Sequence, residues 1–515
     1  MAVANLRFRP SVRSQLNPRG DIEVTDAEYV SFIRRFPPSK LVSLVAAVAP
    51  DYAFNQADYS TNSLITPWGL ADVARVSLAF GNEHRAAEPT TQDLLKCLHM
   101  HNNLGHPGLA AQEPGAAVNT LLQLAFYQFP FQRSPAHLTG RSIALFEQTT
   151  VPDSTDIEVM HDGWQTDLLG CTLSQYTGVT QLLAAAAKPN GGRFDPAWIE
   201  RADLKDLTDI FEPAITRRML TEHLAAPASS FRQRDPERPS IRRRFTFNPL
   251  VESPVVSGLG PDLLMPVPDF VMWKPTPSGL YFTGLRRWGE AFTRDLGKLF
   301  QAYVGRHLAL ISSATLYPEI EYKEGRNQNK SIDWILVFPE LVLLVEAKVG
   351  RPKQAVQSGA EGAAKALRAA FDKAFKQLDI TYELIQARRP EFGHIPADRP
   401  ILGIVVTLED FHVVNSPLHQ PLYTRSKKLP TLAVPVEELE GIVCLGPDTA
   451  RFLLDNITET EHNANLRLAL SHQNVPLNPI LTAGLDATPI NRVEDLPAAH
   501  AESAGAAAFV RDAGR

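Results

Sequence analysis

The chain has 515 residues, 44% hydrophobic and 21% charged, with a formal net charge of −6. That length exceeds one ordinary core and predicts two or three folded, water-soluble domains. The negative balance excludes a broadly basic nucleic-acid coat but leaves room for a local basic groove.

Three scattered cysteines (Cys97, Cys171 and Cys444) form no CxxC pair, which predicts a reducing cytoplasm and no disulfide framework. The opening MAVANLRFRPSVRSQLNPRGD has no apolar signal core, and no apolar run is long enough to span a bilayer. A cytoplasmic chain with no membrane partner is expected.

Residues 1–226 read as a helical domain. Asp26 starts a helix, and Leu41, Leu44, Val45 and Val48 recur at helical spacing after Pro37-Pro38. Thr66-Pro67 opens another helix, carrying Leu70, Val73, Val76 and Leu78. Helices are further predicted near residues 91–98, 118–129, 166–176, 179–187, 204–211 and 215–224. Residues 227–284 read as a linker with short β-like pieces at Phe245, Phe270 and Leu280, because prolines punctuate them. The Ala-rich, polar stretch 481–515 reads as a disordered tail.

Residues 285–480 carry the sharpest pattern. A helix from Leu285 shows Trp288, Phe292, Leu296, Leu299, Tyr303 and Leu310 on one face. A strand over 314–322 follows, ending in Glu319 and Glu321. Two apolar runs, 332–338 and 341–345, then meet at Pro339-Glu340 and read as adjacent strands. A long helix over 354–387 bears Ala360, Ala364, Leu367, Phe371, Phe375 and Leu378, and residues 401–408 form a buried strand.

Charges mark the ends of the central hairpin. Asp333 opens one strand; Glu346 and Lys348 close the next, two apart and therefore on one face. Burying them is costly unless they serve each other or a cation. Two carboxylates and the Ala347 carbonyl make an oxygen-rich site suited to Mg²⁺ or Mn²⁺. A lysine beside it can orient a water and stabilise charge developing on a phosphodiester.

This order of elements resembles the PD-(D/E)xK nuclease superfamily. Asp333 matches the motif aspartate, and Glu346-Ala347-Lys348 matches its (D/E)xK part, with Ile332 where the motif's name places proline. The resemblance, over roughly residues 285–410, implies a restriction-endonuclease-like αβββαβ core. The whole chain is then an α+β multidomain protein with a helical N-terminal region. It implies an Mg²⁺-dependent endonuclease in which Asp333, Glu346 and Ala347 hold the metal and Lys348 positions water. Where such members often carry a first-helix glutamate, this chain has Gln301; Glu321 is the best substitute, with Glu319 second. Phe375-Lys376-Gln377-Leu378 is similar to the glutamine-containing helix of RecB-like members, which makes Gln377 a further catalytic candidate, one turn beyond Lys373.

Between Arg286 and Lys376 fifteen Lys and Arg face ten Asp and Glu, a locally positive segment that suits phosphate tracking. Lys365, Arg368 and Lys376 are spaced to share a helix face. Cys97 and His101 would also share a helix face, but His99 points away and His106 brings no second pair, so zinc is not expected. No P-loop and no GxSxG elbow occur. Nucleic acid is the partner the resemblance implies, DNA favoured because such families mostly act on DNA, in defence or DNA processing by analogy. The competing reading is a catalytically silent nucleic-acid-binding protein, or one whose helical region recruits a protein partner.

Overall fold

The computed structural model describes residues 23–54, 64–105, 116–152, 155–235, 239–357, 362–412, 414–416, 423–426, 428–458 and 466–491. The chain is mixed α/β, and several of its helix starts carry a side-chain cap. Thr25 and Thr90 form reciprocal capping boxes with Glu28 and Asp93, opening helices Asp26–Ile33 and Thr91–Asn102. Thr66 accepts from the Gly69 amide at the start of Pro67–Phe80.

These helices build one core from Tyr29, Val45, Leu70, Val73 and Leu98. Phe231, Leu250, Val256 and Phe270 complete it, and all four come from the stretch expected to be a linker. That stretch is folded in because its prolines start helices instead of separating strands. Pro249, Pro268 and Pro277 each occupy the first helical position, where a missing N–H costs nothing. The pieces around Phe245, Phe270 and Leu280 are accordingly helical; short strands lie elsewhere, at Val255–Ser257 and Leu263–Leu264. Arg243, 0% exposed, bridges the two parts. Its Nε and Nη2 donate to Asp26, and its Nη1 and Nη2 donate to Asp72 at 2.8 and 3.0 Å.

A second core joins the helical region to the C-terminal half. Ile143, Leu145, Leu173 and Leu182 pack in the same cluster as Phe292, Phe300, Val345, Ile404 and Leu453. Inside it, Arg141 of helix Pro135–Phe146 donates twice to Glu440, at 2.7 and 2.6 Å. The Tyr303 hydroxyl donates to the same carboxylate at 2.7 Å. The beginning of the expected tail belongs here too. Helix Pro479–Asp486 buries Ile480 and Leu481 and crosses the 135–146 helix at Gly140, where a Cβ would stand 2.4 Å from the Leu481 carbonyl oxygen. The tail from residue 492 lies outside the described residues.

The helix expected from Leu285 is two helices, Pro277–Trp288 and Glu290–Leu308, because Gly289 takes φ +60° between them. The 290–308 helix leads into strands β1 (Thr315–Pro318), β2 (Glu321–Glu324), β3 (Asn327–Lys330), β4 (Trp334–Val337) and β5 (Val342–Lys348). Helices Gln354–Gln357 and Ala363–Gln386, strand β6 (Ile401–Thr407) and strand β7 (Thr431–Pro435) follow. The single strand expected over 314–322 is divided: β1 joins the main sheet and β2 pairs only with β3.

The five-stranded sheet runs β7-β6-β5-β4-β1, antiparallel from β1 to β5 and parallel from β5 to β7. Alternate residues separate its two faces. Leu336, Leu343, Val345 and Ile404 pack with the 290–308 helix, while Ile335, Leu344 and Val405 pack with Leu367, Phe371 and Leu378 of the 363–386 helix. Both faces being covered explains the nearly unbroken apolar strands. No helix among the described residues is long and apolar enough to cross a membrane.

Candidate active site

The register of the central hairpin assembles the charged residues. Trp334 pairs with Val345, so Asp333 and Glu346, one step further along each strand, become neighbours at one sheet end. The Ala347 amide donates to Asp333 Oδ2 at 2.7 Å, and the Lys348 ammonium donates to Glu346 Oε1. The strand start is held from the neighbouring layer, where the Ile332 amide donates to Thr381 Oγ1 at 3.2 Å. On the other side, Gly305 lets the 290–308 helix close onto Trp334. A Cβ there would lie 2.1 Å from the indole, whose Nε1 donates to the Gln301 carbonyl at 3.0 Å.

Glu346 is 1% exposed, and its Oε2 is buried with no hydrogen-bond partner. Burial pushes the Asp333 carboxyl up to about 7, and the neighbouring Glu346 charge adds to it; the Ala347 amide and Lys348 oppose. Burial likewise raises Glu346, against the charge and hydrogen bond of Lys348, the Asp333 amide and the charge of Lys373. Two like charges therefore share a desolvated corner that one lysine only partly neutralises. The Lys348 side chain remains 31% exposed, so the corner opens outward through the lysine.

The remaining candidates divide. Gln377 lies one turn beyond Lys373, the residue whose charge reaches Glu346, and its Oε1 is buried without a partner. Glu321 sits on the separate β2–β3 hairpin, exposed, and accepts from Gln328. Glu319, which pairs with Lys330, is the acid whose charge acts on Asp333. Among the described residues no three His, Cys, Asp or Glu side chains cluster closely enough to hold a metal, so Glu321 does not join Asp333 and Glu346 as a third acid. The 290–308 helix does carry a buried acid, Asp295, but it is spent on structure. Its Oδ2 accepts from the amides of Glu158, Val159 and Met160 at 2.9, 2.6 and 3.1 Å.

The zinc-like residues fall in the first core. Burial pushes the Cys97 thiol up to about 12 and the His101 ring down to about 4, with His101 Nε2 2.9 Å from the Tyr127 hydroxyl. His106 lies outside the described residues. Lys365, Arg368, Lys373 and Lys376 are exposed along the 363–386 helix.

Two carboxylates, one with an unpartnered buried oxygen, are donors of the kind a hard cation takes, although no third such side chain joins them among the described residues. One arrangement escaped the sequence reading. Arg351 lies between Tyr281 and Phe282, and those two aromatics belong to a segment whose prolines mimicked β punctuation. Comparison of the chain with family models, with curated proteins and with solved structures gives no match.

Proposed function

We propose that this protein is a metal-dependent nuclease that hydrolyses phosphodiester bonds, with DNA as the favoured substrate. The observation that carries the reading is the carboxylate pair at the β4–β5 end. Glu346 is buried beside a half-buried Asp333, an oxygen of Glu346 lacks any partner, and an outward-opening lysine stands beside them. What supports the reading is the meeting of two raised carboxyls and a lysine at one strand end.

Asp333, Glu346 and the Ala347 carbonyl would hold Mg²⁺ or Mn²⁺. When bound, such a cation supplies positive charge at the scissile phosphate and lowers the pKa of water. The protein's own part follows from its geometry. The Ala347 amide orients Asp333, and Thr381 steadies the backbone before it. Lys348, which donates to Glu346, would orient the attacking water and meet the developing negative charge. Lys373 and Gln377 extend this corner toward the phosphate backbone. What supports the reading in the fold is the succession of the 290–308 helix, sheet strands β1, β4 and β5, the 363–386 helix and strand β6, with the β2–β3 hairpin inserted and β7 added.

The test is purified full-length protein with plasmid and linear DNA in Mg²⁺, Mn²⁺ or EDTA. Cleavage that disappears in EDTA and in Lys348→Ala, with DNA binding retained, is expected. Binding without cleavage in every metal condition would instead establish a silent nuclease fold, the reading favoured by Gln301 and by the absence of a third clustered acid among the described residues.

A further inference from the structure

Arg351 follows Lys348 by three residues, just past the end of β5. Its guanidinium carbon lies 4.6 Å from the ring centroid of Tyr281 and 4.6 Å from that of Phe282. Its Nη1 is buried and has no acceptor among the described residues. Phe282 is 53% exposed. A lone exposed phenylalanine means little, but this one has a guanidinium over its ring.

The platform stands at the catalytic end of the sheet. Its aromatic residues belong to helix Pro277–Trp288, whose Ser278 hydroxyl donates to Glu409, two residues beyond β6. Strand β6 ends in register with Lys348, and the Leu408 amide donates to the Lys348 carbonyl at 3.2 Å. The same strand ends thus carry Lys348 and hold the helix that presents Phe282.

We propose that Phe282, Tyr281 and Arg351 form a platform for one unpaired nucleobase and its adjoining phosphate, so that the substrate is single-stranded or locally opened nucleic acid. This rests on the nuclease reading above. An exposed aromatic face stacks any base, whereas a paired base inside a duplex offers it no free face. A half-buried guanidinium held over the rings is pre-organised to place its positive charge beside a phosphate. Lysine at the same place would supply charge without the stack.

The experiment uses the full chain carrying Lys348→Ala, with single-stranded and fully paired oligonucleotides containing 2-aminopurine at successive positions. Single-strand binding with quenched 2-aminopurine at one position is expected. Phe282→Ala removes that quench and weakens single-strand binding about tenfold, leaving duplex binding within about twofold, while Phe282→Trp restores both. Arg351→Ala weakens single-strand binding and lowers its salt slope by about one. Because Phe282 is exposed, an unchanged melting temperature certifies the variant's fold. Unaltered single-strand binding and quench in Phe282→Ala overturns the platform and leaves the nuclease reading standing. No binding of any oligonucleotide by the unmutated chain overturns both.

Discussion

Charge is buried in two ways in this molecule, and the contrast separates structure from chemistry. Arg243 with Asp26 and Asp72, and Arg141 with Glu440 and Tyr303, are closed networks in which every guanidinium finds carboxylate oxygens. Burial alone would raise the Asp72 carboxyl, but the charge and hydrogen bonds of Arg243 hold it well below the carboxylate range. At the end of β4 and β5 the balance reverses: burial wins, both carboxyls are raised, and an oxygen of Glu346 is left over. Burial is common to the two regions. Compensation is what differs.

Breaking the closed side should give the largest effect on stability. Arg243→Ala leaves two carboxylates buried without a cation and is expected to cost about 3–5 kcal/mol, seen as a lower urea midpoint. A shift below about 1 kcal/mol would mean the network is not closed in solution.

Lys348→Ala acts on the open side. It should reduce cleavage about a thousandfold, or ~4 kcal/mol of transition-state stabilisation, while leaving the melting temperature nearly unchanged. Equal losses of fold and activity would place Lys348 with the structural pairs.

Asp333→Asn sharpens the contrast by giving opposite signs for stability and function. Removing a like charge from the corner should stabilise the cation-free chain above pH 7 by about 1 kcal/mol. The same change should abolish the thermal upshift produced by Mn²⁺. A destabilised variant would show that Asp333 is compensated after all.

The smallest effect is a pH profile. A carboxyl raised to about 7 keeps its proton longer in the folded chain than in the unfolded one. Its contribution to stability is therefore complete below its unfolded pKa and is lost as pH rises through about 7. A cation competes with that proton, so the Mn²⁺-induced upshift should grow between about pH 6 and pH 8. A flat upshift over that range argues for binding elsewhere.

Much of the site was legible because strand chemistry is local. Period-two alternation puts Glu346 and Lys348 on one face, and Pro339-Glu340 returns the chain so that Asp333 meets Glu346. The third acid was not legible. Whether Glu319 or Glu321 faces Asp333 depends on where β1 stops and the β2–β3 hairpin leaves the sheet, a break that no residue pattern announces. The linker reading failed for a related reason: proline breaks a strand and opens a helix with the same ring, and packing chooses between them.

By itself the sequence determined the capped helix starts at Asp26, Pro67 and Thr91, the two apolar strands and the charged residues that end them, since capping, periodicity and burial cost act over a few neighbouring residues. Only the tertiary structure decided which charges are closed and which stay open. Arg243 finds Asp26 and Asp72, and Arg141 finds Glu440, across separations that local chemistry does not encode. Glu346 keeps Oε2 unpartnered while its one cation, Lys348, sits on Oε1.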